Sequence, residues 1–288
     1  MSQIGWIIEE RATQMGNFLV GRLLPFRQKR MVGPFIFIDH MGPAHLAEQE
    51  TLAVPAHPHI GLSTLTYLLE GSITHRDSLG NKIDITPGAV NWMTAGKGVT
   101  HSERTPAADV DQEKDLHGLQ IWVALPRELQ DIEPNFTHIE ASALPQWQEG
   151  QLQLKLIAGK VLGQESPVPI YSPLYLIEVI AEDDDSIAFG EALFGECGLY
   201  ILEGEVETEE GVFSDQQMLV TADAKFCSLR VKKGTRLYLF GGDALPEERH
   251  IFWNFVHTDK EVIEQAKIDW QNGKFPQVID ENEIVPLP

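Results

Sequence analysis

Apolar residues along this chain come in short bursts that alternate with turn chemistry, not in helical stripes. Trp6-Ile7-Ile8, Gly33-Pro34-Phe35-Ile36-Phe37-Ile38-Asp39 and Thr64-Leu65-Thr66-Tyr67-Leu68-Leu69 are rich in β-branched and aromatic residues, which predicts strands. Glu70-Gly71, Asp77-Ser78-Leu79-Gly80-Asn81, Thr86-Pro87-Gly88 and Ala95-Gly96-Lys97-Gly98 predict the turns between strands. Leu119 to Leu125 closes this first set, whose spacing is that of a β-sandwich or closed barrel. From Pro126 to about Gly150 the apolar period weakens while Pro, Glu and Gln accumulate, so this stretch reads as an inter-domain connection. Strands resume at Leu152–Leu156, Leu174–Val179, Ala192–Phe194, Gly198–Leu202 and Thr235–Phe240.

An internal echo supports two copies of one β-fold. Tyr67-Leu68-Leu69-Glu70-Gly71 recurs as Tyr200-Ile201-Leu202-Glu203-Gly204, each followed by a polar hairpin and another apolar strand. A single helix is expected, late in the chain. Thr258-Asp259-Lys260-Glu261 fits a capping box with Thr258 as N-cap. Val262, Ile263, Ala266, Ile268 and Trp270 give it an apolar stripe, and Asn272-Gly273 ends it.

At 288 residues and 43% hydrophobic content, the chain fits one large or two medium domains with a real core. Its 22 Lys+Arg against 43 Asp+Glu leave a formal charge of −21, so it lacks the basic footprint of a nucleic-acid binder. Cys197 and Cys227 form no CxxC and read as buried thiols of a reducing compartment. The first residues lack a basic segment followed by an apolar run, and no apolar stretch is long enough to span a bilayer. A cytoplasmic protein that does not engage membranes is expected.

The chemistry concentrates in two stretches. His57-Pro58-His59 and His101-Ser102-Glu103 each place two metal-type ligands at spacing i, i+2, which puts both side chains on one face of a strand. Facing each other across a barrel, the pairs would offer His57, His59, His101 and Glu103 to one ion. That set suits iron, manganese, nickel, copper or zinc and leaves positions free on an octahedral metal. No cysteine lies near, which argues against a closed structural zinc site. The second copy has no histidine between His138 and His250 and cannot rebuild the set, so one metal per chain is expected. His75, beside Arg76 and Asp77, reads as a surface residue. His40 and His117 are candidates to support the ligands or to wall the pocket, and Phe35, Phe37, Trp92 and Met93 are candidates for its apolar lining.

These residues resemble a known family. His57-Pro58-His59-Ile60-Gly61 through Gly71, Asn91-Trp92-Met93-Thr94-Ala95-Gly96-Lys97-Gly98 and His101-Ser102-Glu103-Arg104 are similar to pirins, members of the cupin superfamily. Val32-Gly33-Pro34-Phe35, Asp39 to Pro43, His117 to Val123 and the terminal Trp270-Gln271-Asn272-Gly273-Lys274-Phe275 extend the likeness over the whole chain. The resemblance implies an all-β protein of two cupin (jelly-roll) β-barrel domains packed together with a short C-terminal helix. Residues 1–135 would form the metal-binding cupin and 136–288 a cupin without ligands. It implies iron(II) as the usual ion on His57, His59, His101 and Glu103. It also implies activity of the quercetin 2,3-dioxygenase type, with O₂, on a metal-chelating aromatic substrate. The alternative is the role of animal pirin, a non-enzymatic iron- or redox-sensing regulator acting on a protein partner.

One departure bears on catalysis. Cupins place a glutamate after the second histidine with three or four residues between them, where this chain has Ser63 and Thr64. Strand parity puts Ser63 on the face of His57 and His59, and a serine cannot act as a carboxylate base. Glu103 is then the catalytic base, as ligand or by detaching, unless the acidity of a flavonol at the metal suffices.

Overall fold

The computed structural model describes residues 4–15, 18–189, 192–221 and 228–288. Strands dominate it, and the one α-helix among the described residues is Lys260–Gln271. The chain forms two compact units. One comprises residues 12–22, 37–141 and 246–288; the other comprises 1–11, 23–36 and 142–245.

The first unit carries two sheets. A seven-stranded sheet has the spatial order Asn135–Ile139, Val90–Thr94, Leu62–Glu70, Lys114–Ala124, Phe35–Leu46, Phe18–Leu24, Arg11–Met15. A four-stranded sheet has the order Ala53–His59, Val99–Arg104, Ile73–Asp77, Lys82–Ile85. Met41, Leu68 and Leu116 from the first sheet meet Val54, Ile73 and Ile85 from the second in one core. The central strand Leu62–Glu70 is buried on both faces over most of its length, which is why it reads as a nearly continuous apolar run.

The second unit repeats the plan. An eight-stranded sheet centred on Glu196–Glu203 and Arg236–Gly242 shares a core with a four-stranded sheet. In that core Leu154, Ile177, Leu199 and Leu239 meet Ile187, Val206, Leu229 and Val231. Strand Leu152–Val161 buries Leu152, Leu154 and Leu156 and exposes Gln153, the period of a strand with one core face. The echoed pentapeptides occupy matching places. Each ends a central strand, and Gly71 (φ +80°) and Gly204 (φ +88°) each turn where a Cβ would press on Asp115 or Thr235 at 2.2–2.4 Å.

Several expectations are corrected. The units do not follow a single cut at residue 135. Ile4–Glu9 pairs with Gln217–Thr221, and the late helix packs Ile263, Ala266 and Trp270 on Ile60 and Phe255, so pairing and packing override sequence order. The stretch 126–150 is more than a connection. Asn135–Ile139 pairs with Val90–Thr94, and Gln146–Glu149 with Leu152–Val161, as edge strands whose half-buried positions blur the apolar period. Ala192–Phe194 is not a strand; Leu193 is buried through side-chain packing alone. The helix N-cap is Asp259, whose carboxylate accepts from the Glu261 amide at 2.8 Å, while the Thr258 hydroxyl is bonded to Gln130. Cys197 is a buried free thiol pushed up to about 12 by burial, and Cys227 lies outside the described residues. Among the described residues, no helix is long and apolar enough to cross a membrane.

Candidate metal centre

The four expected ligands lie in one sheet, on neighbouring strands, and not across a barrel from one another. Val99–Arg104 pairs antiparallel with Ala53–His59, and His101 stands directly opposite His57. Directly opposed residues share a face and approach closely, so the His57 and His101 rings come within 4.3 Å. His59, two residues from His57, joins the same face with its ring 4.9 Å from that of His101. A register shift between His101 and Glu103 sets Pro55 and Ala56 opposite Ser102, a bulge in the His57 strand, while Val99–Arg104 stays in register with its other neighbour through Glu103. All four side chains line one cavity of about 380 Å³.

Burial sets the electrostatics. It lowers His57 to about 4 against the opposing hydrogen bond to Pro55, and it holds His59 and His101 well below the ordinary histidine value. Burial also raises the Glu103 carboxyl, against the pull of His75 and a hydrogen bond with Thr66. Three neutral imidazoles with in-plane lone pairs are the form a borderline divalent cation binds.

The donor set fits such an ion. His57 Nδ1 donates to the Pro55 carbonyl at 2.8 Å, which fixes the tautomer that leaves Nε2 as a lone pair. His59 Nε2 and His101 Nε2 converge to 3.0 Å, and both Nδ1 atoms are buried without a hydrogen-bond partner. A cation held between the converging Nε2 atoms would take both of their lone pairs, with the proton of each ring on Nδ1. Ligand atoms of His57, His59 and His101 lie within 4.8 Å of one another, as do those of His75, His101 and Glu103.

His75 is therefore not a surface residue. It is buried, stacks on Phe136 with ring centroids 4.5 Å apart, faces Glu103 in register, and donates from Nε2 to Asp77 at 3.2 Å. Its strand is flanked on both sides, and His75 and Asp77 carry the same i, i+2 signal as the ligand pairs. Unlike Glu103, His75 does not line the cavity. His40 and His117 pair with each other, Nε2 to Nε2 at 2.8 Å, and do not line it either.

Ser63 does not share the face of His57 and His59, because Gly61 (φ +71°) turns the chain into the other sheet between them. Its hydroxyl donates to Thr94 at 3.0 Å. Thr64 stands opposite Trp122, and Thr66 donates to Gln120, so these threonines hold the cavity side of the strand and bring no carboxylate there. Of the expected lining residues only Phe37 reaches the cavity; Phe35 packs edge-on against Phe240, and Trp92 donates to Thr94. Arg22, Gln120, Trp122, Trp253 and Val285 line it without having been singled out in the sequence.

The Pirin family profile matches residues 17–123, and that of the pirin C-terminal cupin domain matches residues 177–276. A pirin-like protein of Caulobacter vibrioides is 45% identical over 99% of both chains. The crystal structure of a quercetin 2,3-dioxygenase from Acinetobacter baumannii superposes with a TM-score of 0.91 at 33% identity, covering 99% of this chain and 95% of that one. A second quercetin 2,3-dioxygenase structure from that organism gives 0.86 at 26% identity, covering 96% and 98%.

Proposed function

Because the chain belongs to the pirin family of the cupin superfamily, we propose that it is a cytoplasmic mononuclear metal protein acting as a dioxygenase of the quercetin 2,3-dioxygenase type. Its substrate would be an aromatic compound that chelates the metal. The ion would be iron(II), held by His57, His59, His101 and Glu103. The observation that carries this reading is the convergence of three buried neutral imidazoles and one buried carboxylate on a cavity walled by aromatic rings. The likeness to the Acinetobacter enzymes supports the reaction class.

A bound divalent ion would supply Lewis acidity toward a chelating hydroxyl and redox chemistry toward O₂. The protein's part is positioning and proton handling. Pro55 fixes the His57 ring through its carbonyl. Trp122 and Phe37, stacked on each other at 3.9 Å and both lining the cavity, give a substrate ring an apolar wall. Glu103 carries the only carboxylate in the two histidine groups, and burial raises its pKa, so its Oε atoms suit taking a proton from a substrate hydroxyl.

Oxygen uptake tests this reading. Anaerobically purified, iron-loaded protein should consume O₂ on addition of quercetin, and His57→Ala should not. Full iron occupancy with no uptake across a panel of aromatic enediols contradicts the dioxygenase. That result favours the second reading, an iron or redox sensor acting on a protein partner. The second reading draws on Ser63 and Thr64, which leave the cavity without the usual cupin glutamate.

A further inference from the structure

Among the described residues that line the cavity, Arg22 is the one cationic side chain outside the candidate metal centre, and it is placed to read the far end of a ligand. Trp122, Phe37 and Arg22 come from three neighbouring strands and stack as a ladder. The His59 ring meets Trp122 edge-on at 5.1 Å; Trp122 stacks on Phe37 at 3.9 Å; the Arg22 guanidinium lies over Phe37 at 4.5 Å. A flat ligand chelated at the histidines and lying along this wall would extend towards Arg22.

The hydrogen bonds of Arg22 say what that end should be. Its Nε donates to Asp39 Oδ1 and its Nη2 to Asp39 Oδ2, both at 2.8 Å. Asp39 is fully buried and locks the guanidinium plane, while the Arg22 side chain remains 29% exposed and lines the cavity. Guanidinium has five N–H donors in a rigid plane, and Asp39 takes the fork on one side. The end fork, one N–H on Nη1 and one on Nη2, is left with carboxylate-matching geometry. We propose that Arg22 is a specificity-determining residue that binds a carboxylate on the substrate, so the substrate class is an aromatic chelator with a carboxylate at the end remote from the metal. This rests on the proposed metal centre.

The test is calorimetric titration of zinc-loaded protein, which is redox-silent, with 3,4-dihydroxybenzoate and with catechol. Taking the ratio of the two affinities within each variant cancels the effect of the carboxylate on chelation itself. Wild type should bind the carboxylate ligand about ten- to hundredfold more tightly, the worth of a charge-assisted hydrogen-bonded pair. Arg22→Lys and Arg22→Gln should bring the ratio near one. Arg22→Gln strands the buried Asp39 charge; if it does not fold, Arg22→Lys decides, since lysine keeps the ion pair and has no second fork. A wild-type ratio near one, or a high ratio that persists in Arg22→Lys, overturns the proposal. If catechol does not bind wild type at all, the metal reading has failed. Benzoate against phenol on metal-free protein then isolates Arg22: a benzoate preference lost in Arg22→Lys supports its role, and no preference overturns it.

Discussion

A site built for a metal should weaken the protein that lacks one. In His59→Leu/His101→Leu, two buried Nδ1 atoms without partners disappear together with the 3.0 Å contact between the two Nε2 atoms. Each buried, unsatisfied polar group costs about 1–3 kcal/mol, and the hydrogen bond lost with them is worth about 1 kcal/mol. Leucine is close to histidine in volume, and both positions border a cavity of about 380 Å³, so overpacking is not expected. In a chelator the double variant should therefore be more stable than wild type, by about 1–5 kcal/mol. With metal the difference should shift towards wild type: at a free concentration about a thousand times Kd, binding adds about 4 kcal/mol to wild type and nothing to the variant. Urea unfolding followed by tryptophan fluorescence measures both arms, with Trp122 reporting beside His59. A variant less stable than wild type in chelator by more than about 1 kcal/mol would refute the reasoning, because the imidazoles would then be satisfied structural residues.

Two further perturbations test the scaffold. Gly61→Ala places a Cβ 1.8 Å from the Val256 carbonyl oxygen at a φ of +71°, and should cost about 2 kcal/mol or more in denaturant unfolding while lowering metal affinity; an unchanged midpoint would contradict the described turn. Arg104 pairs with Glu281 and Glu283, and its hydrogen bond holds the Glu281 carboxyl below the ordinary glutamate value. A depressed folded-state pKa gives stability that is present above the unfolded value and lost as pH falls through the folded one. The advantage of wild type over Arg104→Met should accordingly be full near neutrality and fade with acidification below the glutamate range; an advantage that grows on acidification would contradict the pairing.

The grouping of the candidate ligands was legible in the sequence because a strand's period of two is local: His57 with His59, and His101 with Glu103, share a face whichever strands lie beside them. The echo around Gly71 and Gly204 was legible because both turns need a positive φ beside close backbone or side-chain neighbours. What failed depended on long-range pairing. Nothing local says that the two ligand strands are neighbours, that Trp122, Phe37 and Arg22 stack across three strands, or that the first strand belongs with residues 217–221. Strand parity failed for Ser63 because Gly61 breaks the strand on which the parity was counted. His75 was missed although its spacing to Asp77 matches the ligand pairs, since a polar neighbourhood of Arg76 and Asp77 reads as surface until a flanking strand covers it.

The most direct measurement is the metal content of anaerobically purified protein, by mass spectrometry, for wild type beside His57→Ala, His101→Ala and His75→Gln. The account requires iron at close to one per chain in wild type and in His75→Gln, and its loss in the two alanine variants. Metal retained in both alanine variants, or a wild type that takes up no divalent ion even on anaerobic reconstitution, would contradict it.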